Sequence, residues 1–283
     1  MGRNVFTKDD KVLVSIVKAE GNLKDSIERA VELIGGWNRL DLKGKKVLLK
    51  PNYNSADPYP ASSDSEFVKA VIELVYENGA DKVIVGESSM MTLNTMSTLK
   101  ARGLMEVAKE TNAEVYSFDD HEWIEVDVPN GKYLKKASIP KIINEVDRLI
   151  FLPCLKTHFL AKFTMSIKLT MGAIKKTQRP WIHMGKRENK IAELASLFHP
   201  DLIIMDGRKC FITGGPFNGD VREPGLILAS GDRIAIDVEG IKIVKSFEGN
   251  NLKREPWDYA QIRRAIELCL GVKREEDYEV VHS

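Results

Sequence analysis

The chain has 283 residues, of which 43% are hydrophobic and 29% charged, and this composition indicates a globular protein with a sizeable core. Its apolar runs are shorter than the roughly 18 residues that a membrane-spanning helix needs. The first residues, MGRNVFTKDDK, are charged where a signal peptide has an apolar region. We therefore predict a cytoplasmic protein without a membrane partner.

Three cysteines occur at wide spacing: Cys154, Cys210 and Cys269. An odd, dispersed set excludes a disulfide framework and a CxxC cradle for zinc or for an iron–sulfur cluster. We expect no intrinsic iron–sulfur cluster, and the pattern identifies no other cofactor. Only two glutamines accompany the many lysines and glutamates, a bias found in proteins from thermophiles.

Positive charge is concentrated between Lys156 and Lys190, which we call the basic segment. It contains nine lysines and arginines and one acid, Glu188, so its local charge is +8 in a chain whose total is +1. Such a segment repels itself, which favours an anionic ligand. The alternatives are a solvated basic surface or ion pairs with acids from elsewhere in the chain. The nine cations are Lys156, Lys162, Lys168, Lys175, Lys176, Arg179, Lys186, Arg187 and Lys190.

Short apolar runs alternate with amphipathic stretches, which is typical of parallel strands joined by crossover helices. The predicted strands are Lys11–Val17, Lys45–Lys50, Lys82–Gly86, Glu114–Ser117, Arg148–Leu152, Asp201–Asp206 and Leu226–Ala229. The predicted helices are Leu23–Ile34, Glu66–Asn78, Leu99–Glu110, Lys186–Phe198, Asp232–Phe247 and Pro256–Leu270.

One stretch departs from this alternation. Trp123–Val128 and Tyr133–Ile139 flank an Asn-Gly pair, which predicts a small antiparallel hairpin inserted at about residues 120–140. No internal repeat or low-complexity linker divides the chain. We therefore predict one α/β domain over residues 1–283, with a mainly parallel, doubly wound sheet and this hairpin insertion.

Ligands of open α/β sheets bind beyond the carboxyl ends of the strands. Reading the predicted strand ends gives Lys156, His158 and Glu87 as candidates for proton transfer, with Lys156 expected to have a lowered pKa among other cations. The candidates for substrate binding are Asn52, Thr157, Lys168, Lys175 and Asp206.

Other chemistries have weaker support in the sequence. Cys154 and His158 form a C-x3-H pair that Cys210 could extend into a metal site, but this spacing is generic. The chain has no GxxxxGK[ST] phosphate loop, no GxGxxG and no GxSxG nucleophile elbow. Aromatic residues in the basic segment follow no RNA-binding pattern, and the near-neutral chain argues against nucleic-acid binding.

Several short motifs together resemble family 362 of the domains of unknown function. They are KPN at 50–52, Gly79-Ala80 to Gly86-Glu87, LPCLKTH at 152–158, Lys168 and Gly172, Asp206-Gly207 with Gly215-Pro216, and ASGDRIAID at 229–237. The resemblance implies an α/β domain often associated with iron–sulfur proteins through an appended ferredoxin-like module. This chain has no such module, so any cluster would belong to a partner.

Our leading hypothesis is an enzyme that binds a small anionic metabolite, a carboxylate or a phosphate, and uses lysine and histidine for acid–base chemistry. A racemase- or isomerase-like reaction and an oxidoreductase reaction both fit these groups. One alternative is a non-catalytic or redox subunit that works with a ferredoxin-like iron–sulfur partner. A second is a nucleic-acid-binding protein.

Overall fold

A computed structural model of the protein describes residues 4–283, and its centre is one large mixed sheet. The strands are β1 Thr7–Lys8, β2 Lys11–Lys18, β3 Lys46–Lys50, β4 Lys82–Glu87, β5 Glu114–Ser117, β6 Trp123–Asp127, β7 Lys136–Pro140, β8 Arg148–Phe151, β9 Cys154–His158, β10 Lys162–Thr164, β11 Leu202–Phe211, β12 Val221–Arg222, β13 Leu226–Ser230 and β14 Tyr278–His282. The main path of the sheet runs β1-β2-β13-β11-β8-β3-β4-β5.

Helices cover both faces of this sheet. They are α1 Leu23–Leu33, α2 Ser65–Glu77, α3 Thr95–Ala101, α4 Leu104–Thr111, α5 Ser166–Leu169, α6 Arg179–His183, α7 Arg187–Ala195, α8 Arg233–Lys245 and α9 Ala260–Glu267. Alternate residues of β3 enter two separate cores: Leu48 packs with α5, α7 and α8, whereas Val47 and Leu49 pack with α1 and α2. This two-sided burial explains the nearly continuous apolar runs of the central strands.

The strands β11, β8, β3, β4 and β5 are parallel neighbours, so their carboxyl ends share one edge. Strand β13 enters antiparallel between β11 and β2. The predicted α/β class and the mainly parallel, doubly wound sheet are confirmed. The predicted hairpin is also confirmed: β6 and β7 pair antiparallel as a separate two-stranded sheet.

Two predicted helices are shorter than expected. The stretch Leu99–Glu110 divides into α3 and α4 because Gly103 adopts a positive φ of 76° between them, a conformation that interrupts a helix. The stretch Pro256–Leu270 begins with a short 3-10 turn, and Tyr259 is extended before α9 starts.

One strand extends beyond its predicted limit and another forms where a loop was expected, and both differences affect the site. Strand β11 continues past Asp206 to Phe211. After Pro153 the chain resumes as β9, which pairs with β11 and, as a hairpin, with β10. The segment Cys154–His158, expected as a loop after a strand, is therefore itself a strand whose side chains alternate between two faces.

Within residues 4–283, no helix combines the length and the apolar character needed to cross a membrane.

The buried carboxylate of Glu193 links the hairpin insertion to helices α7 and α9. Glu193 of α7 is fully buried and accepts hydrogen bonds from the backbone N–H groups of Lys132, Tyr133 and Leu134 at 2.6–2.9 Å. It also pairs with Arg264 of α9 at 2.7 Å. One side chain thus connects the β6–β7 loop to two helices.

We expect Glu193→Gln to lower the free energy of unfolding by about 2–4 kcal/mol, because the amide loses the charge that Arg264 and the backbone donors require. Urea unfolding measures this. The matched control is Glu267→Gln, which removes the exposed partner of the same arginine and should cost about 0–1 kcal/mol. Equal effects of the two substitutions would contradict this role for Glu193.

Candidate functional site

A cavity of about 330 Å³ lies where β3 and β4 end and along β9. Its volume is within the range of small-ligand sites, about 300–1,000 Å³. Five predicted site residues line it: Asn52, Glu87, Lys156, His158 and Lys168. The other lining residues are Lys50, Asn54, Ser88, Met90, Met91, Thr92, Phe159, Leu160, Thr164, Leu169, Met171, Gly172, Arg179, His183, Pro216 and Phe217.

Three residues predicted to bind substrate do not line this cavity. Thr157 lies between Lys156 and His158 on β9 and therefore faces the opposite side of the strand. Lys175 is exposed on the loop before α6. Asp206 is buried inside β11, where it accepts hydrogen bonds from Tyr59 and Arg208 at 2.7 and 2.8 Å.

A buried ion pair forms the floor of the cavity. Lys50 Nζ lies 2.8 Å from Glu87 Oε1, and each side chain is 2% exposed. Glu87 also accepts hydrogen bonds from the backbone N–H groups of Tyr53 and Ser88 at 2.8 Å. Because all these donors already occupy its oxygens, Glu87 is better suited to hold the floor than to exchange protons.

Gly172 lies directly over this pair. A Cβ atom at that position would come within 2.3 Å of Glu87 Oε1 and 2.7 Å of Lys50 Nζ. Only a residue without a side chain allows the basic segment to pack this closely onto the floor.

Lys156 is completely buried, and its ammonium contacts backbone carbonyls. Nζ donates to the oxygen of Ala61 and, at 3.3 Å, to that of Pro216. Burial lowers the pKa of Lys156 to about 8. The pKa is lowered as the sequence predicted, but desolvation is the cause rather than neighbouring cations. Lys156 thus joins two loops that border the cavity.

Lys168 is also buried, with 9% of its surface exposed, yet within residues 4–283 its Nζ makes no hydrogen bond or ion pair. Burial, and then the charges of Lys156, Arg179 and Arg187, lower its pKa to about 7. Asp237 of α8 positions this lysine by accepting the N–H groups of Ser166 and Ile167, which begin α5. A free amine that is partly neutral near pH 7 is available to a ligand.

Two histidines face the same space. His158 Nδ1 accepts hydrogen bonds from the N–H groups of Leu160 and Ala161 at 3.0 and 3.2 Å, which places its proton on Nε2. Burial, with Lys168 next, holds the pKa of His158 far below its ordinary value. Burial likewise lowers the pKa of His183 to about 4. Both rings are neutral at physiological pH, so His158 Nε2–H can donate a hydrogen bond to a ligand.

Three polar atoms of the cavity wall are buried without a hydrogen-bond partner among the described residues. They are Asn52 Nδ2, Thr164 Oγ1 and His183 Nδ1. Buried polar groups are nearly always satisfied in folded proteins. Three unsatisfied groups in one cavity, together with the free amine of Lys168, are the pattern expected where a polar ligand binds.

The mouth of the cavity is apolar. Phe159, Met91 and Phe217 are exposed by 62%, 46% and 36%. The ring of Phe159 stacks on His158 with 5.4 Å between centroids. The cavity therefore combines a cationic interior with a hydrophobic entrance.

Among the described residues, Lys176 alone of the nine cations in the basic segment forms an ion pair, with Asp119 at 2.8 Å. Others donate to backbone carbonyls instead: Arg187 to Leu160 and Lys190 to Trp181, each at 2.8 Å. Within residues 4–283, acids from elsewhere in the chain therefore neutralise only one cation of this segment as an ion pair.

The cysteines do not fit a metal or cluster site. Within residues 4–283, no group of three or more His, Cys, Asp or Glu side chains could hold a metal ion. Cys154 and Cys210 are buried outside the cavity lining, and burial raises their pKa to about 11 and about 12, which disfavours the thiolate. Cys269 is exposed. Cys154, His158 and Cys210 are thus not assembled into one site.

The prediction from strand ends missed Lys50, Arg179 and His183. Lys50 is the last residue of β3, two positions before Asn52, so the same criterion could have found it. Arg179 donates to the backbone oxygen of Ser88 at 3.0 Å and to Ser88 Oγ at 2.6 Å, and no local sequence pattern indicates that long-range contact.

Fold and site define an α/β protein with a buried cationic cavity at the carboxyl edge of its parallel strands. The chain belongs to the family described as Domain of unknown function (DUF362), whose profile matches residues 47–242. The resemblance seen in the sequence is thereby confirmed.

A curated relative, the Thylakoid-associated protein sll1697 of Synechocystis sp. (strain ATCC 27184 / PCC 6803 / Kazusa), is 29% identical over 236 residues. The match covers 79% of this chain and 72% of the relative. Among solved structures, the lactate racemase apoprotein from Thermoanaerobacterium thermosaccharolyticum matches 84% of this chain, with 15% identity and a TM-score of 0.44. The match covers 58% of the length of the racemase.

The cytoplasmic location stays a prediction.

We expect Lys50→Met to lower the free energy of unfolding by about 3–5 kcal/mol, because it leaves the buried carboxylate of Glu87 without its cation. The double substitution Lys50→Met, Glu87→Gln should be less harmful than the sum of its parts, with a coupling of about 1–3 kcal/mol in urea unfolding. The exposed pair Lys141–Glu122, treated in the same way, serves as control and should couple by less than about 1 kcal/mol. Additive effects of the substitutions at Lys50 and Glu87 would show that these two side chains do not stabilise the fold as an ion pair.

Lys168→Met should raise the free energy of unfolding by about 1–2 kcal/mol without ligand near neutral pH, because it removes a buried amine that has no partner. The pKa of Lys168 is lowered on folding, so the unfolded chain binds the extra proton between about pH 7 and 10.5. The stability of the unsubstituted protein should therefore rise with pH in this window relative to the variant. Denaturant unfolding across this range measures the difference, and a variant less stable than the parent would show that Lys168 supports the fold.

Proposed function

We propose that this protein is an enzyme that binds a small anionic metabolite, a carboxylate or a phosphate, in the cavity and acts on it by lysine-based proton transfer. The observation that carries the proposal is the free amine of Lys168, buried beside Lys156 and Arg179 with no anion to pair with. An anion bound there would remove the repulsion among these groups.

The unsatisfied polar atoms support the same ligand. Asn52 Nδ2 and His158 Nε2–H are donors, and Thr164 Oγ1 can donate or accept. The oxygens of a carboxylate or a phosphate accept such bonds, and a neutral imidazole stabilises developing negative charge on oxygen without giving up its proton. The amine of Lys168 lies in the same cavity as the ligand and has a pKa near 7 when the cavity is empty, so it is the candidate group for exchanging a proton with the ligand.

The placement of the cations supports a small ligand in preference to nucleic acid. Lys156, Lys168, Arg179 and Lys190 are buried, so they cannot line up along a phosphate backbone. The apolar mouth adds room for a short hydrophobic part of the metabolite.

We expect sulfate and inorganic phosphate to raise the melting temperature in a saturable manner, and Lys168→Met to abolish the effect. The control is Lys162→Met, which removes an exposed cation of the same segment outside the cavity lining and should leave the effect intact. Stabilisation that does not saturate, or that persists in Lys168→Met, would indicate general salt exclusion and refute the proposed site.

The affinity for sulfate, which does not titrate near neutral pH, should depend on pH with a definite sign. The amine of Lys168 has a pKa of about 7 when the cavity is empty, and a bound anion raises it. Above about pH 7, binding must therefore take up a proton, so the dissociation constant should increase by up to about tenfold per pH unit. Calorimetric titration in buffers of different ionisation enthalpy measures both the affinity and the proton uptake, and a pH-independent affinity would contradict the role of Lys168.

A further inference from the structure

The lysines of the cavity region differ in what holds their amines. Residues 4–283 contain four buried lysines. Lys50 pairs with Glu87, Lys156 donates to two carbonyls, and Lys190 donates to the oxygens of Trp181 and Met184 at 2.8 and 2.7 Å. Lys168 alone of the four has neither an acid nor a carbonyl. Its Nζ therefore has no structural contact that explains its burial.

A lysine that reacts as a nucleophile must present a neutral amine with a free lone pair. Two backbone carbonyls orient the amine of Lys156, so that amine is less available to a ligand than the amine of Lys168, which has no such contacts among the described residues. Burial, and then the cations around Lys168, disfavour its protonated form. The charged and titratable groups that face it or line the same cavity are Lys50, Glu87, Lys156, His158, Arg179, His183 and Arg187.

We propose that Lys168 forms an imine with the carbonyl group of a small 2-oxo acid bound in this cavity. This inference rests on the proposed function, because it names the substrate class of the same site. In the reaction, Nζ attacks the carbonyl carbon and a C–N bond forms. The carbonyl oxygen then leaves with the two amine protons as water, and the C=N double bond remains.

The surroundings of Lys168 fit both ends of such a molecule. The carboxylate meets the positive field of Lys156 and Arg179 and the free donor of Asn52, while the carbonyl oxygen lies within the cavity that His158 Nε2–H lines. The imine can take up one proton and become a cation beside the carboxylate, so the charge balance of the bound state is retained. A short apolar group of the acid reaches the mouth at Phe159 and Met91.

The test uses the full chain with pyruvate as probe and sodium borohydride, which reduces an imine to a stable secondary amine. Peptide mapping by mass spectrometry should find the reduced adduct on Lys168 and not on the exposed lysines of the basic segment. Lys168→Met should lose at least about nine-tenths of the adduct, and Lys162→Met should retain it. Excess sulfate should also prevent the labelling of Lys168 in the unsubstituted protein, and this measurement requires no substitution. Acetone, which has a carbonyl and no carboxylate, should label at least about tenfold more slowly.

Two results would overturn the proposal. One is the absence of a borohydride-dependent adduct on Lys168, and the other is labelling spread equally over exposed lysines. If sulfate still stabilises the protein in a saturable, Lys168-dependent manner in that case, the imine is wrong and the anion site stands. If neither the adduct on Lys168 nor the saturable stabilisation by sulfate is observed, both the imine and the anion site are refuted. The signs of the pH dependence also separate them, because trapping should increase as pH rises through about 7 whereas sulfate affinity should decrease.

Discussion

The ion pair between Lys50 and Glu87 joins the carboxyl ends of two adjacent parallel strands beneath the cavity. A carboxylate buried this deeply needs a cation and further donors, and here they come from β3, from Tyr53 and from Ser88. Gly172 allows the basic segment to lie directly on the pair. The floor therefore sets the position of the segment that carries Lys168, and any change in the pair is transmitted to the cavity above it.

The basic segment shows how positive charge can be buried without acids. Backbone carbonyls, which are dipoles and not charges, hold Lys156, Arg179 and Lys190. They satisfy hydrogen bonds and leave the net charge in place, so the cavity keeps a positive field. Burial, and then this field, lower the pKa of Lys168, and the same field attracts an anion. A reactive amine and an anion site therefore arise from one arrangement of buried cations.

The rule that polar residues at the ends of parallel strands meet at one edge located much of the lining. It found Asn52 and Glu87, because Asn52 lies two residues after β3 and Glu87 is the last residue of β4. It failed for Thr157, because Cys154–His158 is a strand in which neighbours face opposite sides. It also failed for Asp206, because β11 continues for five more residues and holds that carboxylate in a contact with Tyr59 and Arg208. Pairing with β10 and β11 makes Cys154–His158 a strand, and pairing with β9 and β12 continues β11 to Phe211. Local propensity alone gives neither result.

The sequence by itself determined the α/β class, the hairpin insertion, the family and the concentration of positive charge in one segment, because periodicity, turn residues and charge are local properties. Only the tertiary structure decided which buried lysines of residues 4–283 are held by an acid or by carbonyls and which buried lysine has neither. Lys156 and Lys168 look equivalent in the chain, but carbonyls from the loops at Ala61 and Pro216 reach the first and not the second. Partners of this kind come from residues far apart in sequence, so only the folded chain distinguishes a structural lysine from one that is available for chemistry.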